Sequence, residues 1–252
     1  QGCAMGRSHA CPWPAFCSRG PGANLIALLA SSPLHAAVSA GEVAYYADEP
    51  AGVEALLQGS LAEGVYFAEV LLGSPEPQRA SLIVDTASWM TATACGGCKS
   101  CGKHLDGPFD TGQSHSATWL GCGPPCRARC QKGHCVFHED YLEGSGIEGR
   151  WVRDHLRLVK SKGPSGDKGA ADAPMPPGFV ATFGCNLKES GLFHAQKPNG
   201  ILGLAPGSEL EPTLMSQLLD SRRRAGVTGD AREFSLCLRD VGGWLRFGGG
   251  GS

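Results

Sequence analysis

Asp85 ends an apolar run, Leu82-Ile83-Val84, and opens directly into Thr86-Ala87-Ser88. The apolar residues bury a strand, and the polar turn behind them brings a carboxylate to its mouth beside two hydroxyls that can bond it or the backbone. A carboxylate presented in this way suits general acid–base chemistry on water. A second carboxylate about 3 Å away would divide the work with it, since like charges that close cannot both ionise and one becomes base and the other acid. Asp85 is the candidate catalytic acid, with Thr86 and Ser88 as its hydroxyl neighbours. A further Asp-Thr-Gly, Asp110-Thr111-Gly112, follows Gly107-Pro108-Phe109 rather than an apolar strand and reads as a plain turn. The sequence has no Gly-x-Ser-x-Gly elbow and no phosphate-binding glycine loop, and its eight histidines show no catalytic pairing.

The elements that must hold Asp85 are strands. From residue 66 onward, short apolar segments alternate with Gly, Pro and polar turns, which predicts an all-β domain. Strands are expected over 66–72, 80–85, 151–159, 179–183, 234–238 and 244–247. The first two form a hairpin around Gly73-Ser74-Pro75, with Asp85 at its far end. One helix is expected over 211–223, where Pro212 suits a first turn and Leu214, Met215, Leu218 and Leu219 make one apolar stripe. Residues 160–178, rich in Gly, Pro, Ala, Lys and Asp, read as a surface loop.

Composition narrows the function classes. A chain of 252 residues with 42% apolar and 18% charged residues can bury a core, and a net charge of −2 leaves no electrostatic footprint for nucleic acid. No apolar run reaches the roughly 18 residues that cross a bilayer. Twelve cysteines, seven of them between Cys95 and Cys135, point to an oxidising compartment and hence the secretory pathway. Leu25-Ile26-Ala27-Leu28-Leu29-Ala30, preceded by arginines and followed by Val38-Ser39-Ala40, reads as a signal segment cleaved near Ala40.

Two further blocks give the Asp85 turn its meaning. Asp140-Tyr141-Leu142-Glu143-Gly144-Ser145-Gly146 is a tyrosine-led, glycine-rich hairpin, and Asn199-Gly200-Ile201-Leu202-Gly203-Leu204-Ala205 is an apolar pair framed by glycines. In this order and spacing, the three blocks resemble the N-terminal lobe of a pepsin-like aspartic protease. The cysteines from Cys95 to Cys135, with Phe183-Gly184-Cys185, resemble the cysteine-rich insertion of the nepenthesin and plasmepsin V branch. The resemblance implies an all-β lobe over 64–249 with an insertion at 95–135, an N-terminal region over 1–63 and a short tail at 250–252. It implies an endopeptidase that binds an extended polypeptide beneath a flap, without metal or cofactor. Asp85, Thr86 and Ser88 would serve catalysis, while Tyr141, Glu143, Gly144 and Ser145 would line the substrate.

The resemblance also implies disulfides from Cys95 to Cys98, Cys101 to Cys185, Cys122 to Cys135 and Cys126 to Cys130, with Cys237 reaching a cysteine of a second lobe. A second lobe would carry the partner aspartate, and no second strand-borne Asp-Thr/Ser-Gly occurs in this chain. Ala87 stands where the family has glycine, and its methyl group is expected to disturb the placement of Asp85. That departure and the single aspartate support an alternative, a catalytically inactive peptide-binding module. A zinc-binding adaptor, with Cys95, Cys98, Cys101 and His104 as ligands, is disfavoured because three successive three-residue steps crowd one ion. Alternation along the flap would put Tyr141 and Glu143 on one face, over the substrate.

Overall fold

The computed structural model describes residues 17–19, 53–124, 126, 129–159, 178–207, 213–227 and 233–248. The expected signal segment, nearly all of the 160–178 loop, Pro212 and the 250–252 tail lie outside these residues. In chain order the elements are β1 (Cys17–Arg19), β2 (Val53–Ser60), β3 (Val65–Leu72), β4 (Gln78–Asp85), β5 (Thr91–Ala94), β6 (Thr118–Trp119), β7 (Arg129–Gln131) and β8 (His134–Asp140). They continue with β9 (Gly146–Leu158), β10 (Phe179–Ser190), α1 (Leu192–Ala195), β11 (Gly200–Gly203), α2 (Leu214–Arg224), β12 (Phe234–Leu238) and β13 (Val241–Phe247). The architecture is all-β, as the strand pattern predicts.

The strands form one sheet in the order β1-β12-β13-β2-β3-β4-β11-β5-β10-β9-β8-β7, with β6 on β9 and a further β3–β9 pairing. The long β9 joins the two ends of the functional apparatus. Its first residues pair with β8, and its last pair with Val70, Leu71 and Leu72 of β3, in the hairpin that carries Asp85. Alternation decides which side chains enter the core: Ala68, Val70 and Leu72 of β3 and Val152, Leu156 and Leu158 of β9 are buried. They join Leu82, Phe109, Phe183, Leu202, Leu218 and Phe247 in the main core. A second cluster of Met90, Ala92, Leu120, Phe137, Ile147, Trp151, Phe193 and Ile201 lies under Tyr141.

The structure adds elements that the sequence reading leaves out. Val53–Ser60, placed in the N-terminal region by that reading, forms β2 and pairs with both β13 and β3. The four residues of β5, Thr-Ala-Thr-Ala, are all buried between β11 and β10, where only small side chains fit. Helix α2 begins at Leu214 because Thr213 caps it, its hydroxyl accepting the Ser216 N–H.

Candidate active site

Asp85 is the last residue of β4, and the strand beside it fixes where that end points. β11 runs parallel to β4 with Gly203 opposite Asp85, and beyond it Leu204 N donates to Asp85 O at 2.8 Å and Ala205 N to Ser88 O at 2.9 Å. The turn after Asp85 is thus tied at both ends to one strand. Glycine is required at Gly203: a β-carbon there would lie 2.4 Å from Met90 O and 2.6 Å from Ser88 O. Gly200 is equally confined, with Ala92 O 2.0 Å from the place of a β-carbon. The fully buried Asn199 anchors the other end of the pair, its amide nitrogen donating to Asp106 O at 2.9 Å while its own N–H reaches Ser81 O at 2.6 Å.

Two donors orient the carboxylate. Ala87 N donates to Asp85 Oδ1 at 2.8 Å, and Ser88 Oγ donates to Oδ2 at 2.6 Å. Thr86 and Ala87 are exposed, whereas Ser88 is buried. Within this lobe the Ala87 backbone lies outside the left-handed region, so the turn by itself does not demand glycine, and its N–H holds Asp85.

Tyr141 reaches the same group from above. Burial is the main reason its hydroxyl is pushed up to about 12; the hydrogen bond with Ser88 works the other way, and the carboxylates of Glu139, Asp85 and Glu143 add to the rise. The phenol therefore keeps its proton at any ordinary pH. Ser88 spends its single hydrogen on Asp85, and Tyr141 and Asp85 both act on the same hydroxyl neighbourhood. The Tyr141 ring rests on Phe193, centroids 5.0 Å apart, and Trp89 stacks on Trp151 at 5.9 Å.

The flap is the β8–β9 hairpin, and its tip is a turn rather than strand. Gly144 N donates to Tyr141 O and Tyr141 N to Ser145 O, each at 2.9 Å, and Gly144 has a φ of +88°. The alternation expected to align Tyr141 and Glu143 therefore fails, since neither residue is in a strand. Glu143 is exposed and accepts a hydrogen bond from the Ser145 hydroxyl, Ser145 itself being buried. Leu142 stands fully exposed at the tip. Asp110 sits in a turn, as expected, with Oδ1 accepting from Gly112 N at 2.8 Å and its own N–H donating to Gln78 Oε1 at 2.7 Å.

The eight cysteines of the insertion and β10 are all bridged, but not in the pairing that the resemblance implies. The bonds are Cys95–Cys185, Cys98–Cys101, Cys122–Cys130 and Cys126–Cys135. Sheet geometry explains the first, because Cys185 pairs beside Thr93 in the parallel β5–β10 contact and Cys95 follows directly after β5. Cys237 is also disulfide-bonded within this chain, which corrects the expectation of a second-lobe partner, and its backbone pairs with that of Cys17. The sulfurs of Cys95, Cys98 and Cys101 are thus engaged, and His104 turns to Glu189 at 2.9 Å instead of completing a zinc set.

Sequence reasoning missed Glu189. It is buried on β10 and accepts from His104 Nε2, from Gly102 N at 3.2 Å and from Asn186 Nδ2 at 3.0 Å. Its partner lies 85 residues away, so no local spacing reveals the pair. Asp154 was missed for the same reason, a buried carboxylate in the middle of β9 whose Oδ1 accepts from Ser116 Oγ at 2.5 Å and His155 N at 2.7 Å.

Residues 66–249 match the family described as Xylanase inhibitor N-terminal. Among curated proteins the chain is 33% identical over 214 residues to Aspartic protease 5 of Toxoplasma gondii, covering 77% of this chain and 20% of that protein. It is 29% identical over 200 residues to Plasmepsin V of Plasmodium falciparum, covering 77% and 31%. It is 26% identical over 198 residues to Aspartic proteinase nepenthesin-1 of Nepenthes gracilis, covering 77% and 38%. The chain spans between about a fifth and two fifths of the length of these relatives. With the sheet, the tethered aspartate turn and the flap it carries, the chain belongs to the pepsin-like aspartic protease family, whose N-terminal lobe it contains.

Proposed function

We propose that this chain is the first lobe of an aspartic endopeptidase of the secretory pathway, in which Asp85 supplies one carboxylate of the catalytic pair and a second lobe supplies the other. The observation that carries the reading is the Asp85 carboxylate at the end of β4, held at one oxygen by the Ser88 hydroxyl and at the other by the Ala87 amide. Two such carboxylates share one proton: the ionised member takes a proton from water, and the neutral member protonates the carbonyl under attack. Ser88 and the Ala87 amide orient Asp85, Thr86 lies exposed in the same turn, and the flap residues Glu143, Gly144 and Ser145 would lie over an extended polypeptide. The disulfides support an oxidising lumen. Among the described residues no helix is long and apolar enough to cross a membrane.

The test is a peptidase assay across acid and neutral pH. The 252-residue chain alone is expected to be inert, and the same chain joined to a second lobe bearing a strand-borne Asp-Thr/Ser-Gly is expected to cleave polypeptides with pepstatin sensitivity. An inert two-lobed protein that still binds peptides would favour the second reading, an inactive binding module, which Ala87 motivates.

Glu143 is the proposed determinant of specificity. It is exposed on the flap turn two residues past Tyr141, and closure of the flap over a peptide would shield it from water, where a carboxylate favours arginine or lysine through a charge-assisted hydrogen bond. In the two-lobed enzyme, Glu143→Gln is expected to reduce the preference for an arginine peptide over its neutral analogue by about tenfold. An unchanged ratio of kcat/KM values would remove Glu143 from the specificity site.

A further inference from the structure

His104 and Glu189 form a pair with almost no solvent contact, their side chains 3% and 0% exposed, Nε2 to Oε2 at 2.9 Å. The other ring nitrogen, Nδ1, lies 3.1 Å from Gln196 O. Glu189 comes just before α1 and Gln196 just after it, so one imidazole ties together both ends of the turn that contains α1. That turn supports the flap. Phe193 of α1 carries the Tyr141 ring, Ser190 Oγ donates to Gly146 O at 3.3 Å, and the space where a β-carbon of Gly191 would sit is filled by Ser145, its Cα 2.8 Å away.

The insertion is applied to this turn along its length. Gly102 N donates to Glu189 Oε2 and Leu105 N to Lys197 O at 2.8 Å, while Gly102 lies so close to His194 that a β-carbon there would be 1.9 Å from His194 O. We propose that His104 and Glu189 are positioning residues of the flap: their buried pair clamps the insertion to α1 and so holds Tyr141 in place above Asp85. This deepens the protease reading, but its test does not depend on catalysis.

The geometry makes the clamp sensitive to protons. A backbone carbonyl can only accept, and so can an ionised carboxylate, so both ring nitrogens must donate and the ring must carry both protons. The hydrogen bond to Glu189 is the largest influence raising His104 above its ordinary 6.5; burial opposes it, while the charge of Glu189 and the carbonyls of Gln196 and Pro198 add to the rise. Glu189 on β10 is the charged group that faces the ring; Lys103, His194 and Lys197 nearby are exposed, and Asp106 bonds Ser81. Because the folded-state value is raised, the stabilisation is complete below about 6.5 and is lost as pH rises through the folded-state value. Above it, one ring nitrogen is bare and turns its lone pair on an acceptor, the Glu189 carboxylate or the Gln196 carbonyl.

The test follows amide hydrogen exchange at Tyr141 and Gly144 in this chain, corrected for the intrinsic effect of pH, beside the NMR titration of the His104 ring. Flap protection is expected to fall by about tenfold with the same midpoint as His104, while Leu204 and Ala205 stay protected. His104→Gln should show the weakened protection at every pH. Glu189→Gln, whose amide nitrogen can donate to a neutral Nε2 but no longer accepts from Gly102 N, should weaken protection somewhat and lose its pH dependence. Flap exchange in the unmodified chain with no transition at the His104 midpoint overturns the proposal, whether or not either variant folds. Equal loss at the flap and at Leu204 also overturns it, since that would mark a pair supporting only the fold.

Discussion

Asp85→Asn, made in the two-lobed enzyme, is expected to lower kcat by about 10³-fold or more and to leave KM within a few-fold. The substitution keeps the size and shape of the side chain, and Asn retains one oxygen for the Ala87 N–H. The other contact inverts. An amide nitrogen opposite Ser88 donates where Asp85 Oδ2 accepted, so the hydroxyl must turn its lone pair inward and its hydrogen elsewhere. The principal loss is chemical, because an amide neither takes a proton from water nor shares one with a second carboxylate. An interaction made only in the transition state is lost from kcat rather than from KM. A variant that kept more than a tenth of the activity would assign the chemistry to another carboxylate. Asp110 would be the weakest replacement, its Oδ1 already committed to Gly112 N and its Oδ2 to Gln113 at 2.9 Å.

What was legible in the sequence is what depends on neighbours in the chain. The apolar run of β4 and the polar turn after Val84 located Asp85 because strand, turn and carboxylate are contiguous. The glycine-framed apolar pair of β11 was legible as a block, and the structure supplies the backbone neighbours that demand those glycines, Met90 O and Ala92 O. β5 was not legible, since its Thr-Ala-Thr-Ala carries little apolar surface and becomes a strand only when β10 and β11 enclose it. The flap tip misled for the opposite reason: strand alternation was extended into residues 141–145, where the positive φ of Gly144 reverses the chain. The disulfide pairing and the His104–Glu189 contact are tertiary facts, fixed by which strands adjoin, and spacing among cysteines does not encode them.

Replacing Cys95 and Cys185 together by alanine is expected to destabilise the lobe by about 4–5 kcal/mol, because their bond closes a loop of 90 residues and so removes more unfolded-state freedom than any short bridge. Both residues belong to the main core, 1% and 0% exposed, and the lost sulfurs add a cavity at the β5–β10 contact. The bond between Cys98 and Cys101 spans 3 residues, so its removal is expected to cost only about 2 kcal/mol. Urea unfolding of the chain under non-reducing conditions, with each pair replaced in turn, reads the difference as a shift in midpoint. The comparison also separates the two pairings. If Cys101 were bonded to Cys185, replacing Cys98 and Cys101 together would open the long bridge and cost as much as replacing Cys95 and Cys185. Equal midpoints for the two double variants would therefore overturn the Cys95–Cys185 bond and restore the pairing implied by the resemblance. A larger shift for Cys95 and Cys185 would place the stronger of these two ties at the β5–β10 contact, beside β11, which holds the Asp85 turn.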